Sequence, residues 1–195
     1  MRTIAHIMAL GVLLSVAACS SLSPSTTPSH APSVQQRAST LERSGRFALT
    51  ATYGNNQRDA VQGSFTWHER DGRLQLDLRN PMGSTLARVY TQGQQAVLVY
   101  SDGRQEQAKT PDDLVTQVLG SPVPVAGLRD WMQGLPAAQQ AVHNPRYDSA
   151  GRLEQVEQDG WRVSLQRYDE LGPRLLQLHR HEASRSISVR LVIDQ

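Results

Sequence analysis

Sulfur chemistry is almost missing from this chain: Cys19 is its only cysteine among 195 residues. A disulfide within the chain is therefore excluded, and so is a thiolate metal site. Aromatic residues are scarce too, with two Phe, three Trp and five Tyr, so a large core would be light on its bulkiest fillers. Lys109 is the sole lysine, and Arg supplies the rest of the 20 basic residues. With 18 acidic residues interspersed, the net charge is only +2, which gives little reason to expect a nucleic-acid partner. Catalytic signatures are also lacking. No Gly-x-Ser-x-Gly elbow occurs, and no Ser, His and Asp arrangement stands out. The stretch Gly103-Arg-Gln-Glu-Gln-Ala108-Lys109-Thr110 misses a phosphate-binding loop by the glycine before lysine, and it follows a hairpin rather than a buried parallel strand. His179 and His181 lie one strand period apart, but no third ligand is spaced to join them, His143 being the only remote candidate. Paired carboxylates at Asp112-Asp113 fit a helix start. The expectation is a protein that is not an enzyme, with no nucleotide, metal or cofactor.

Long apolar runs are lacking except at the start. Arg2 is followed by an almost unbroken apolar segment from Ile7 to Ala17, too short to span a bilayer and laid out as a secretory signal peptide. It ends in Leu14-Ser15-Val16-Ala17-Ala18-Cys19, which resembles a bacterial lipobox, where the cysteine is acylated and becomes the mature N-terminus. The alternative is an ordinary signal peptide with an incidental cysteine. Residues 1–18 are thus expected to be the signal peptide, with Cys19 the lipidation site. Residues 19–36, rich in Ser, Thr and Pro, are expected to be a lipidated flexible tether, and residues 37–195 a single domain. Two or more acyl chains at ~0.8 kcal/mol per buried CH₂ give a stable anchor. Ser20 is not the aspartate that marks inner-membrane retention, so the expected address is the outer membrane, facing the periplasm.

A short helix is expected over Arg37 to Arg43, stopped by Ser44-Gly45. The pattern then turns to period two, the mark of strands with one buried face. Phe47 and Leu49 alternate with polar neighbours, as do Val61, Phe65 and Trp67, and then Leu74, Leu76 and Leu78. Asp71-Gly72, Asp102-Gly103 and Asp159-Gly160 read as tight hairpins, and Gln92-Gly93-Gln94 as a further turn. Thr110-Pro111-Asp112-Asp113 opens a helix carrying Leu114, Val115, Val118 and Leu119 before Gly120 and Pro122. A second helix is expected at about Val125 to Gln133. The sum is a mainly β fold with three short helices: about eleven antiparallel strands curled into a barrel or half-barrel. Its hollow is either filled with side chains or left as a cavity.

Several features together resemble the LolB family of outer-membrane lipoprotein receptors. They are the lipobox, Gly45-Arg46-Phe47, Gly63-x-Phe65-x-Trp67, Asn80-Pro81-Met82-Gly83-Ser84-Thr85, and Pro122-Val-Pro124 leading to Trp131-Met-Gln-Gly134-Leu-Pro136. Gln158-Asp-Gly160-Trp161 and the closing Leu191-Val-Ile-Asp194 also match. The family usually continues past that Asp with Trp, where this sequence has Gln195. The resemblance implies a half-open β-barrel with a helical lid over a hydrophobic cavity. It also implies a monomer that takes acylated lipoproteins from the periplasmic carrier LolA and places them in the inner leaflet of the outer membrane. Met82, between Pro81 and Gly83, falls where the family carries an exposed apolar residue that enters membrane lipid; the alternative is a side chain folded back on the core. The expected acyl-chain cavity is lined by Phe47, Leu49, Phe65, Trp67, Leu76, Leu78, Val89, Val97, Val99, Trp161 and Val163, with Leu128, Trp131 and Met132 from the lid. A structural lipoprotein with a filled barrel is the other reading.

Overall fold

The computed structural model describes residues 37–92, 94–119 and 123–194. The expected signal peptide, Cys19, the whole tether of residues 19–36, Gly93, Gly120, Pro122 and Gln195 lie outside the described residues.

Eleven strands form one antiparallel sheet. The first group runs β1 (Thr40–Tyr53), β2 (Arg58–Arg70), β3 (Arg73–Arg79), β4 (Thr85–Gln92), β5 (Gln95–Tyr100) and β6 (Gln105–Ala108). The second runs β7 (His143–Tyr147), β8 (Leu153–Gln158), β9 (Trp161–Asp169), β10 (Gly172–His181) and β11 (Arg185–Ile193). Sheet order is β6-β5-β4-β3-β2-β1-β11-β10-β9-β8-β7. Each group is a meander, and the two meet only where β1 pairs with β11, from Gly45 opposite Ile193 to Tyr53 opposite Arg185. Helices α1 (Pro111–Leu119) and α2 (Val125–Trp131) sit in the connection between β6 and β7, the two edge strands. The result is a half-open barrel with a helical lid.

Local chemistry sets the turns. Asp71 and Gly72 both have positive φ (51° and 75°), as do Asp159 and Gly160 (49° and 73°), the conformation of two-residue hairpins whose twist matches the strands. α1 begins as expected, with Thr110 Oγ1 accepting from the Asp113 N–H at 3.1 Å. α2 lacks a side-chain cap at Pro124; Asp112 of α1 supplies one, its Oδ1 accepting from the Ala126 N–H at 2.9 Å. Burial of this carboxylate raises its pKa.

The helix expected over Arg37 to Arg43 does not form. β1 begins at Thr40, with Leu41, Arg43 and Gly45 buried and Glu42 and Arg46 exposed, a period of two that satisfies the backbone against β2 instead. The described helices are therefore two. β7 was not expected either: all five of its residues are exposed, so it carries no alternation to read.

The core fills the concave side. Trp131, Trp161, Val163, Val156 and Leu178 have no exposure at all. The Trp131 indole N–H donates to Gln158 Oε1 at 3.0 Å, and the Ala137 N–H donates to the same oxygen at 2.9 Å, so the buried Gln158 is satisfied and fastens α2 to β8. Gly63 shows why a strand here must lack a side chain: a Cβ would lie 1.9 Å from the Arg79 carbonyl oxygen and 3.2 Å from Phe47 Cε1. Close approach of β2 to β3, and room for the Phe47 ring, both depend on it.

Candidate functional site

Between the sheet and the helices lies a cavity of about 390 Å³. Phe47 and Leu49 of β1, Val61, Phe65 and Trp67 of β2, and Leu76 and Leu78 of β3 form one wall. Leu86, Ala87 and Val89 of β4 with Leu98 and Tyr100 of β5 form a second. Val189 and Leu191 of β11 close the other side, and Val115, Val123, Val125, Leu128 and Met132 cover it. The lining is apolar apart from the hydroxyl of Tyr100 and the indole N–H of Trp67, and the latter is occupied by Glu69 Oε2 at 3.3 Å. Such a surface offers a polar ligand no charge and, outside that hydroxyl, no free hydrogen-bonding group. It suits hydrocarbon.

Nine of the expected lining residues are here: Phe47, Leu49, Phe65, Trp67, Leu76, Leu78, Val89, Leu128 and Met132. Five are not. Val97 and Val99 sit on the opposite parity of β5, where Leu98 and Tyr100 face the cavity. The run Ala96-Val-Leu-Val is apolar on both faces, so its sequence cannot report which one turns inward. Trp131, Trp161 and Val163 are packed into the core instead, where the Trp131 side chain of α2 is bonded to Gln158 of β8. Residues the sequence reasoning missed include Val189 and Leu191, whose alternation was visible, and Leu86, whose position was not. Leu78 pairs with Ala87 but Arg79 with Thr85, so Leu86 is the extra residue of a β-bulge that bends the strand.

The bulge lies beside the turn at residues 80–84. There Asn80 Oδ1 accepts from the Met82 N–H at 2.9 Å and the Ser84 N–H at 3.0 Å. The Gly83 N–H donates to the Asn80 carbonyl at 2.9 Å, with φ at 87°. Held by these three bonds, the turn presents Met82 at 93% exposure; its side chain does not fold back on the core. Val61 and Leu86, both cavity-lining, are exposed at 51% and 37%. With Met82 beside them, these two exposed residues mark the place where the cavity reaches solvent.

The opposite end is polar and closed. Glu69 accepts from Arg129 Nε of α2 at 2.6 Å, and Asp130 accepts from Arg37 Nε at 3.0 Å. Arg43, fully buried, donates to the Met132 carbonyl at 3.3 Å and faces Asp169 at 3.5 Å. These contacts pin α2 at several points; α1 is tied to α2 through Asp112, to β6 by the bond from Gln117 Nε2 to Glu106 Oε2 at 3.3 Å, and to β4 and β5 by the buried Leu114. A second concavity, about 430 Å³, lies at this end, but Glu42, His68, Arg70 and Arg73 line it, and its charged surface does not suit an apolar guest. His179 and His181 are both exposed. Among the described residues no group of three or more His, Cys, Asp or Glu is placed to hold a metal ion, and no helix is long and apolar enough to cross a membrane.

A family model described as "Outer membrane lipoprotein LolB" matches residues 39–195. The chain belongs to the LolB family. Among relatives, the "Outer-membrane lipoprotein LolB" of Bordetella petrii is 46% identical over 190 residues, covering 96% of this chain and 91% of that protein. The Bordetella pertussis protein of the same name is 48% identical over 155 residues, covering 80% and 78%. That of Cupriavidus necator is 37% identical over 189 residues, covering 95% and 92%. The LolB match spans every strand of the sheet and leaves out only residues 37 and 38 of the described chain, so cavity, rim and exposed turn all fall inside it.

Proposed function

We propose that this protein is an outer-membrane lipoprotein receptor, anchored by lipid at Cys19, which accepts lipoproteins from the periplasmic carrier LolA and inserts them into the inner leaflet of the outer membrane. The observation that carries the reading is the joint geometry of an apolar cavity and an exposed Met82 at its open rim, in a chain of the LolB family. Moving several acyl chains through water costs tens of kcal/mol at ~0.8 kcal/mol per CH₂. Transfer therefore has to pass between apolar environments, from the carrier's to this cavity and from the cavity to lipid. No bond is made or broken along that route, so it needs no nucleophile, base or nucleotide. In this reading Phe47, Phe65, Leu76, Val89 and Leu128 hold the acyl chains, and Met82, presented by Pro81 and Gly83, enters the bilayer to open a path.

The decisive test is transfer of a triacylated lipoprotein from LolA to the soluble Cys19→Ala form. The expected result is cargo co-purifying with this domain and carrier left empty. Cargo remaining on LolA at equilibrium would overturn the reading in favour of a structural lipoprotein.

A further inference from the structure

Two features at opposite ends of the sheet bear on how the domain meets the membrane. The first is where the described chain starts. Arg37 Nε donates to Asp130 Oδ1 at 3.0 Å and Arg37 Nη2 to the Pro136 carbonyl at 2.9 Å. The Ala38 N–H donates to Gln133 Oε1 at 2.8 Å, and Arg129 Nη2 to the Ala38 carbonyl at 2.8 Å. Four bonds thus clamp residues 37 and 38 to α2 and the chain just after it. The Asp71 N–H donates to the Ser39 carbonyl at 3.0 Å, which sets this clamp level with the β2–β3 turn. The second feature is the Met82 turn, at the far end of β3. From Arg73 to Arg79 the strand climbs ~20 Å at about 3.4 Å per residue, and the turn carries Met82 a few ångströms further. Clamp and tip are therefore separated by ~25 Å along β3 at that rise.

We propose that the stretch from Cys19 to Arg37 is a spacer whose minimum length is set by this separation, so that the Met82 rim engages the same bilayer that holds the lipid on Cys19. This rests on the receptor reading above. Eighteen peptide units join Cys19 to Arg37, and whatever their conformation they reach at most ~60 Å at about 3.3 Å each. That exceeds the clamp-to-tip separation about twofold. Because the clamp sits at the end away from the rim, Met82 can touch the bilayer that holds Cys19 only if the residues between them are long enough to span this separation. With β3 upright on the bilayer, about eight units are the floor at this rise. Below that length the clamp is drawn to the bilayer and the rim is held off it.

The test compares anchored forms in donor vesicles, each loaded with triacylated lipoprotein, and scores delivery into their own bilayer and into apposed acceptor vesicles of the same lipid. Deleting residues 25–30 leaves twelve units, ~40 Å of reach, and delivery into the protein's own bilayer should stay as in the full chain. Deleting residues 22–34 leaves five units, ~17 Å. Own-bilayer delivery should then fall at least tenfold, as expected of a linker that cannot span its sites, while delivery to apposed vesicles persists. Replacing the deleted residues with Gly and Ser at the original length should restore it. Full own-bilayer delivery by the five-unit form would overturn the spacer role, as would failure of the Gly and Ser replacement. The soluble Cys19→Ala form separates the two readings. If it delivers to no vesicle, the receptor reading fails and the spacer role falls with it.

Discussion

Replacing Met82 tests the exposed tip most directly. With 93% of its surface in water and the turn built from Asn80 and backbone groups, the side chain contributes little to folding. A substitution there should change stability by no more than ~0.5 kcal/mol, or a Tm shift within about 2 °C for a domain of this size. Burial in lipid is another matter. Taking a Met side chain fully out of water yields ~1.5–3 kcal/mol, about ten- to a hundredfold in residence at the membrane. Met82→Ala forfeits most of this, and Met82→Glu adds the cost of carrying a carboxylate into an apolar layer. Met82→Leu, similar in volume and hydrophobicity, should behave as wild type. The assay loads each soluble form from LolA, mixes it with liposomes and follows cargo that sediments with lipid. Met82→Glu should load normally, melt normally and deliver at least tenfold more slowly. Delivery at the wild-type rate would refute the tip assignment, and loss of loading would place Met82 in the binding step instead.

Two further outcomes are expected. A naphthalene sulfonate probe should bind the folded domain stoichiometrically, and Leu98→Asn should weaken binding at least severalfold while Val99→Asn, on the opposite face, leaves it unchanged; equal effects would contradict the register of β5. Burial holds the Asp112 carboxyl above its ordinary value of 3.8, so the folded chain keeps that proton to higher pH than the unfolded one. The resulting stability is fully present below pH 3.8 and is lost as pH rises through the folded pKa. Thermal melts across that range should show Asp112→Asn gaining on wild type as pH rises, and a gap that stays constant or moves the other way would refute the assignment.

Much of the sheet was legible because its turns announce themselves. Asp71-Gly72 and Asp159-Gly160 tolerate the positive φ that a tight hairpin needs, and the strands beside them alternate cleanly. α1 was legible through Thr110, Pro111 and the acidic pair. Where the signal failed, the reason is physical. Arg37 to Arg43 is charged enough to resemble a solvated helix, and only Leu41 and the buried Arg43 show its true period. β5 is apolar on both faces, so parity was undetermined and Val97 and Val99 were placed on the wrong side. Trp131, Trp161 and Val163 are as apolar as any lining residue; whether they meet neighbours or a void depends on tertiary packing. Leu86 reaches the rim through a bulge that no alternation rule anticipates. Met82 was readable for the opposite reason, since an apolar residue at a turn tip breaks the pattern around it.

The pairing of β1 with β11 has a consequence for how the chain reaches this fold. These strands form the seam of the sheet, yet Gly45 and Ile193 are 148 positions apart. Closing so long a loop carries an entropic cost that the first local hairpins cannot offset. Each meander can assemble alone, but until residues 185–193 are available both have an unpaired edge at what will become the middle. Synthesis or export that delivers the chain from its N-terminus therefore keeps the seam open until late. During that interval an exposed β1, fourteen residues long, is the segment most open to pairing with a wrong strand.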